Sequence, residues 1–195
     1  MIAIIDYDAG NIRSVGNALQ RLGAEYELTA DPARILAADK VILPGVGNAA
    51  EAMASLEERG LAGLIKTLRR PVLGICVGMQ LMCRGSEEGP VECMGLFDTR
   101  VRRFTEAPDA KVPHMGWNSI SNLDSKLFKG IQGGSFVYFV HSYFPGLCTD
   151  TIATCRHGST LFSAALRWEN FYGTQFHPEK SGSVGSAILQ NFLAL

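Results

Sequence analysis

The sequence has no Cys-x-x-Cys pair, no apolar run near the ~20 residues that span a bilayer, and no surplus of either charge. Each absence closes a class. Without paired cysteines, a zinc ribbon or a redox dithiol has no framework. The five cysteines, Cys76, Cys83, Cys93, Cys148 and Cys155, are odd in number and irregularly spaced, unlike a disulfide scaffold. A formal net charge of −1 gives no electrostatic footprint for nucleic acid. Residues 1–6 are apolar but have no basic flank, so they read as a buried first strand rather than a signal peptide. The expectation is a cytoplasmic chain without metal or cofactor. Its 195 residues suit one domain spanning 1–195, with roughly 70% of the unfolded surface buried.

What is present is an alternation of short β-type runs with helical patterns. Residues 1–6 read as a strand. Ile12, Val15, Leu19 and Leu22 follow at helical spacing. Residues 26–28 and 40–43 read as further strands, the second closed by Pro44-Gly45. Asn48 can cap a helix with Ala49, Ala52, Met53 and Leu56 on one face. Another helical stretch covers 61–68, and 71–75 is the continuous apolar run of a strand buried on both faces. This order predicts βαβ units on a parallel sheet. Beyond residue 83 the pattern changes. Strand-like runs near 98–104, 135–140, 151–155, 162–168 and 171–176 predict added antiparallel strands, with Gly133-Gly134 as a turn. A final helix over 183–195 places Val184, Ala187, Ile188 and Phe192 inward. The expected fold is α/β.

The segment Gly74-Ile75-Cys76-Val77-Gly78-Met79-Gln80 stands where the buried strand gives way to a helix. It has the Gly-x-nucleophile-x-Gly form of a nucleophile elbow, with sulfur for oxygen. So sharp a turn needs nearly side-chain-free residues two before and two after the nucleophile. It also sets the sulfur at a helix N-terminus, which favours thiolate. A free cysteine is more often core packing, and both readings stand for Cys76. Cys83, seven residues on along the same helix, reads as core.

A thiol nucleophile needs a base, and the base needs a partner that fixes its tautomer. Of His114, His141, His157 and His177, the last follows a strand and precedes Pro178-Glu179. Pro178 keeps His177 out of the α region. The segment is therefore expected to stay extended, so that His177 and Glu179 share a face and Glu179 orients the imidazole. The alternative is a strand-end histidine beside a solvated carboxylate. A His-x-Glu pair also occurs in zinc deaminases, but their Pro-Cys-x-x-Cys partner is missing here.

Together, the elbow and the run Phe176-His177-Pro178-Glu179, about a hundred residues later, resemble the class I (triad-type) glutamine amidotransferases. The resemblance covers essentially the whole chain. Pro44-Gly45-Val46-Gly47-Asn48, Pro113-His114-Met115-Gly116-Trp117-Asn118 and Tyr138-Phe139-Val140-His141-Ser142-Tyr143 narrow it. With the first loop from Tyr7 to Ile12, they resemble the branch whose glutaminase subunits serve imidazole glycerol phosphate synthesis in histidine biosynthesis. The resemblance implies a flavodoxin-like three-layer fold with helices on both faces of a mostly parallel sheet. It implies a triad of Cys76, His177 and Glu179, working through a glutamyl thioester. The oxyanion donors would be the N–H of Val77 and one from Val46 or Gly47. The glycines flanking Val46 would let that peptide reorient, so the hole is expected to be incomplete until a partner binds. Gln80, Glu88 and the backbone at Ser142 and Tyr143 would hold L-glutamine. The alternatives are a solvated helix residue for Gln80 and a loop pair with Glu87 for Glu88.

The same resemblance implies a partner. Ammonia protonates and escapes in water, so the family docks its glutaminase on a (β/α)8-barrel cyclase, as a heterodimer. Asn11, Trp117, Tyr138 and Lys180 would lie on the docking face; core packing is the alternative for both aromatics. Three other functions compete. Gly45-Val46-Gly47-Asn48-Ala49-Ala50 fits a Gly-x-Gly-x-x-Ala nucleotide loop, but the next strand ends in Cys76 rather than a ribose-binding acid. A stand-alone cysteine hydrolase or redox-responsive protein could keep the same elbow. A glutaminase subunit of another pathway is the third.

Overall fold

The computed structural model describes residues 1–8 and 12–195. Its elements, in chain order, begin with β1 (Ile2–Ile5), α1 (Ile12–Arg21), β2 (Tyr26–Thr29), α2 (Pro32–Ala37), β3 (Lys40–Leu43), α3 (Ala49–Glu58), α4 (Leu61–Thr67), β4 (Val72–Ile75) and α5 (Val77–Gln80). The second half adds β5 (Gly85–Ser86), β6 (Val91–Glu92), β7 (Arg100–Arg103), β8 (His114–Ile120), β9 (Ser135–His141), β10 (Tyr143–Pro145), β11 (Thr151–His157), β12 (Thr160–Trp168), β13 (Phe171–Thr174) and α6 (Gly182–Leu193).

The central sheet has seven strands in the order β11-β12-β13-β4-β3-β1-β2. β2, β1, β3, β4 and β13 run parallel; β12 and β11 are antiparallel additions at one edge. The α/β fold with a mixed, mostly parallel sheet is therefore as expected. β1, β4 and β13 are buried along their whole length, which explains their unbroken apolar runs. The chain leaves the C-terminal ends of β1, β3, β4 and β13 at Asp6, Pro44, Cys76 and Gln175. Parallel register brings these four exits to one edge, where open α/β sheets bind ligands. Among the described residues, no helix is long and apolar enough to cross a membrane.

Local chemistry accounts for the helices. Asn48 Oδ1 accepts from the N–H of Ala50 and Glu51, and α3 buries Ala49, Ala52, Met53 and Leu56, the face read from the sequence. α6 buries Gly185, Ile188, Leu189 and Phe192, whereas Val184 and Ala187 are only half-buried. α2, a six-residue helix capped by Asp31 with Pro32 in its first turn, is too short for its periodicity to stand out in the sequence.

Two expectations need correction. The helix after Cys76 is one turn long, and Cys83 lies beyond it, fully buried. The Leu81, Met82 and Cys83 carbonyls bond to N–H groups of residues 94–97 instead of continuing the helix. So short a helix offers the sulfur little dipole. The segment after His177 is also not extended. His177 is extended, as Pro178 requires, but Pro178–Lys180 forms a 3-10 turn closed by Lys180 N–H to the His177 carbonyl at 3.0 Å.

The remaining strands form two small sheets. One, in the order β10-β7-β5-β6, lies beside the elbow; the other pairs β8 with β9 as an antiparallel ribbon. Trp117 on this ribbon is 56% exposed, which excludes core packing for it; Tyr138, directly opposite, is half-buried. Asn11 lies outside the described residues.

Candidate active site

Cys76 has φ +54° and ψ −112°, the backbone of the first central residue of a type II′ turn, which L-residues with a side chain rarely adopt. The turn works because two glycines let other backbone approach. A Cβ on Gly78 would sit 2.0 Å from the Leu43 carbonyl oxygen, and one on Gly74 would sit 2.7 Å from the Met79 nitrogen. Gly45 in the preceding loop is equally confined, with a Cβ 2.3 Å from the Gly78 nitrogen. The elbow and the Pro44–Asn48 loop are thus in backbone contact. Gly47 has φ +89°, so only that end of the loop needs a left-handed residue. Tyr7, for which the sequence suggests no role, donates its hydroxyl to the Pro44 carbonyl at 2.6 Å and holds the loop from behind. Burial, with Cys76 nearby, raises the phenol's pKa and keeps it a donor.

His177 stands across the cleft, brought there by β13. Its Nδ1 is 2.8 Å from Glu179 Oε1, and both side chains are almost wholly shielded from solvent. Acting on that nitrogen, the carboxylate leaves the proton-accepting position at Nε2, which has no hydrogen-bond partner among the described residues. Burial pulls the imidazole's pKa down, but the Cys76 sulfur and Glu179 both raise it, and together they hold it at about 10. Ser181 fixes this turn. Its hydroxyl donates to the His177 carbonyl at 2.6 Å and accepts from the Tyr138 N–H at 2.9 Å.

α6 meets the turn at Gly185, where a Cβ would fall 1.9 Å from the Pro178 carbonyl oxygen. Gly185→Ala must therefore displace the His177–Glu179 turn or the helix by about 1 Å. The expected result is a loss of about 1–3 kcal/mol in stability, measured by denaturant unfolding. Glutamine turnover falls roughly 10- to 100-fold in the same variant, because catalytic geometry tolerates little displacement.

Cys76, His177, Val46, Gly47, Val77, Gln80, Glu88, Ser142 and Tyr143 line one cleft of about 270 Å3. Glu179 sits behind His177, not in the cleft wall. Val77 opens α5, so its N–H has no carbonyl one turn earlier to bond. Gln80 is not a solvated helix residue. It is 2% exposed, and its amide nitrogen donates to the Tyr143 carbonyl at 3.0 Å and to Gln175 Oε1 at 2.9 Å. Both amide hydrogens are spent there, leaving only its oxygen for a ligand. Glu88 is partly committed as well, since one carboxylate oxygen accepts from the Ala49 N–H at 2.9 Å and joins Asn48 in capping α3. Burial raises its pKa, opposed by that N–H. Sequence reading missed Gln175, which is fully buried with its amide nitrogen 3.6 Å from Cys76 Sγ. Its place directly before Phe176-His177, where the strand run crosses the site, was the available signal. Among the described residues, no group of three or more His, Cys, Asp or Glu is arranged to hold a metal ion.

The glutamine amidotransferase class-I family model matches residues 3–195. A Bacteroides fragilis protein named imidazole glycerol phosphate synthase subunit HisH is 57% identical over 195 residues, covering 100% of this chain and 99% of its own. A Vibrio vulnificus protein of the same name is 46% identical over 201 residues, covering 100% of this chain and 98% of its own. Among solved structures, a glutamine amidotransferase aligns with TM-score 0.74 at 18% identity, over 100% of this chain and 98% of the other. At that identity the likeness speaks for the fold alone.

Proposed function

The chain belongs to the class I glutamine amidotransferase family, and from that premise we propose how its residues divide the work. It is a glutaminase subunit of imidazole glycerol phosphate synthase in histidine biosynthesis, hydrolysing L-glutamine to glutamate and ammonia. We read 1–195 as a single domain, in the cytoplasm, with no nucleic-acid partner. One observation carries the site assignment: a sulfur on a strained elbow shares a small cleft with a buried histidine that a buried carboxylate holds from behind.

Cys76 attacks the side-chain amide carbon of glutamine after its thiol proton passes to His177. The same imidazole protonates the departing nitrogen, and ammonia leaves a glutamyl thioester. Water, deprotonated by His177, attacks the thioester, and the thiolate leaves glutamate behind. Glu179 holds the imidazole in the tautomer that both transfers need. The tetrahedral oxyanion takes the Val77 N–H and one donor from Val46 or Gly47, each worth about 3–4 kcal/mol when preorganised. The loop's flanking glycines support the reading that the second donor is completed when the partner docks. Gln80, whose oxygen alone is uncommitted, suits the α-ammonium of the substrate. Glu88 and the backbone at Ser142 and Tyr143 complete its polar contacts.

The partner in this reading is a (β/α)8-barrel cyclase, joined as a heterodimer, which turns the ammonia into imidazole glycerol phosphate and aminoimidazole carboxamide ribotide. Trp117 packs edge-on to Tyr138 at 6.1 Å between ring centres, and Lys180 Nζ lies 5.9 Å from the Tyr138 ring. These three, with Asn11, form the proposed docking face. The His177 N–H bonds to the Tyr138 carbonyl at 2.9 Å, so the docking ribbon is tied directly to the base.

The test is glutamate release from glutamine by this chain alone, then with the cyclase and its ribotide ligand. The reading requires strong stimulation by the loaded partner. An unstimulated rate, beside a cyclase that works on free ammonia, overturns it. Trp117→Ala is expected to weaken docking by about 2 kcal/mol, roughly 30-fold in Kd, by titration calorimetry. An unchanged Kd removes Trp117 from the interface.

A further inference from the structure

Behind Cys76 a line of polar groups runs from Asn118 to the sulfur, and four of its side chains, Asn118, His114, His141 and Gln175, have no part in the steps described above. The Asn118 amide nitrogen is 2.9 Å from the Arg156 carbonyl and 3.1 Å from His114 Nε2. His114 Nδ1 is 3.0 Å from His141 Nε2, and His141 Nδ1 is 2.7 Å from the Tyr143 carbonyl. That carbonyl also accepts from Gln80, Gln80 donates to Gln175, and Gln175 reaches the sulfur.

The direction of every bond in this line follows from its fixed ends. The Tyr143 carbonyl only accepts, so His141 carries its proton on Nδ1. Burial lowers His141 to about 3 and His114 to about 4, and both rings are neutral. A neutral His141 protonated on Nδ1 accepts at Nε2, so His114 donates from Nδ1 and accepts at Nε2. Asn118 supplies that donor, with its other amide hydrogen spent on Arg156. From the other side, Gln80 must turn its NH2 towards Tyr143, and its second hydrogen meets Gln175 Oε1. Gln175 is left with one orientation, NH2 towards Cys76. Flipping it would set two donors against each other and an acceptor against the sulfur.

We propose that Gln175 is a catalytic hydrogen-bond donor to the Cys76 sulfur, held in its one productive orientation by Gln80 and by the Tyr143 carbonyl that His141, His114 and Asn118 fix in place. This rests on the glutaminase reading of the site. At 3.6 Å the contact suits an N–H donor and the large radius of sulfur. Negative charge develops on that atom twice per turnover: when the thiol proton passes to His177, and when water expels sulfur from the thioester. The one-turn α5 cannot supply this stabilisation, whereas a buried amide aimed at the atom can. His141, His114 and Asn118 are positioning residues that never touch the substrate.

The experiment is the pH dependence of Cys76 alkylation by iodoacetamide, read by peptide mass on the full chain, for wild type, Gln175→Met and Gln175→Glu. Met removes the donor while keeping length and flexibility. Glu keeps the acceptor that Gln80 requires and replaces the donor with a carboxylate oxygen. In both, half-maximal alkylation moves to higher pH, and kcat in the loaded complex falls about 10- to 100-fold, the value of one hydrogen bond to a charged group. Alkylation of the half-buried Cys93 and Cys148 reports on folding, and the Glu variant decides if Met loosens the site. A wild-type profile in a folded variant overturns the role of Gln175. Glutamine failing to shield wild-type Cys76 would instead overturn the glutaminase reading, whatever the profiles show.

Discussion

Cys76→Gly is expected to reduce glutamine hydrolysis by at least about 10⁴-fold and yet to melt above Cys76→Ala. In the proposed reading, the activity loss follows from removing the attacking sulfur, and the remaining oxyanion donors and binding groups leave a small residual rate. The stability order reverses the usual one. Alanine normally exceeds glycine, because glycine loses more chain entropy on folding, by roughly 0.5–1 kcal/mol. At φ +54° the penalty falls on any residue with a Cβ, at about 1–3 kcal/mol. Cys76→Gly escapes that penalty and Cys76→Ala keeps it. The net difference of about 1 kcal/mol corresponds to about 2–4 °C in Tm for a chain of this size. Differential scanning calorimetry of the two inactive variants measures it directly. Should Cys76→Ala melt higher, the elbow stores no strain, and the geometry that aims the sulfur has another origin.

Much of this elbow is legible in the sequence. The two glycines flanking the nucleophile, the apolar run before it and the acid two residues after His177 each answer to one local requirement. So does Asn48, whose capping bonds depend only on its own α3. What the sequence hides depends on residues far apart along the chain. Gln175 gains meaning only when β13 lies beside β4 and sets its amide against Cys76. Gly185 resembles any helix glycine until Pro178 packs on it. The shortness of α5 is decided by residues 94–97, which bond the carbonyls that a longer helix would use.

β8 inverts the usual strand pattern. His114 and Asn118 face inward and join the polar line towards the active site, while Met115 and Trp117 face out, 62% and 56% exposed. A pattern rule that puts apolar residues inside reads such a strand backwards. In the proposed reading, the inward His114 and Asn118 help to fix Tyr143, and the exposed Met115 and Trp117 are left for the docking partner. The His177 N–H to Tyr138 carbonyl bond ties the backbone of this ribbon directly to His177.

Glu179→Gln is expected to cut glutamine hydrolysis by about 10³- to 10⁴-fold, although the side chain keeps its size. A carboxylate on Nδ1 can only accept, so Nε2 stays the nitrogen that exchanges protons with sulfur and substrate. An amide can present its NH2 instead, and the ring then offers the wrong tautomer to Cys76. Charge adds to this effect. Burial lowers the His177 pKa, and only Cys76 and Glu179 raise it to about 10. Removing one of the two lets burial pull the value down, so the imidazolium that must protonate the departing nitrogen becomes scarce. The same shift carries a pH signature in stability. A folded pKa above the unfolded value of about 6.5 contributes stability that is complete below pH ~6.5 and disappears as pH rises to about 10. The gap in Tm between wild type and Glu179→Gln is therefore widest below about pH 6.5 and closes towards pH 10. A gap that does not change with pH would mean that Glu179 orients the imidazole without sustaining its charge. The activity loss would then come from the tautomer alone.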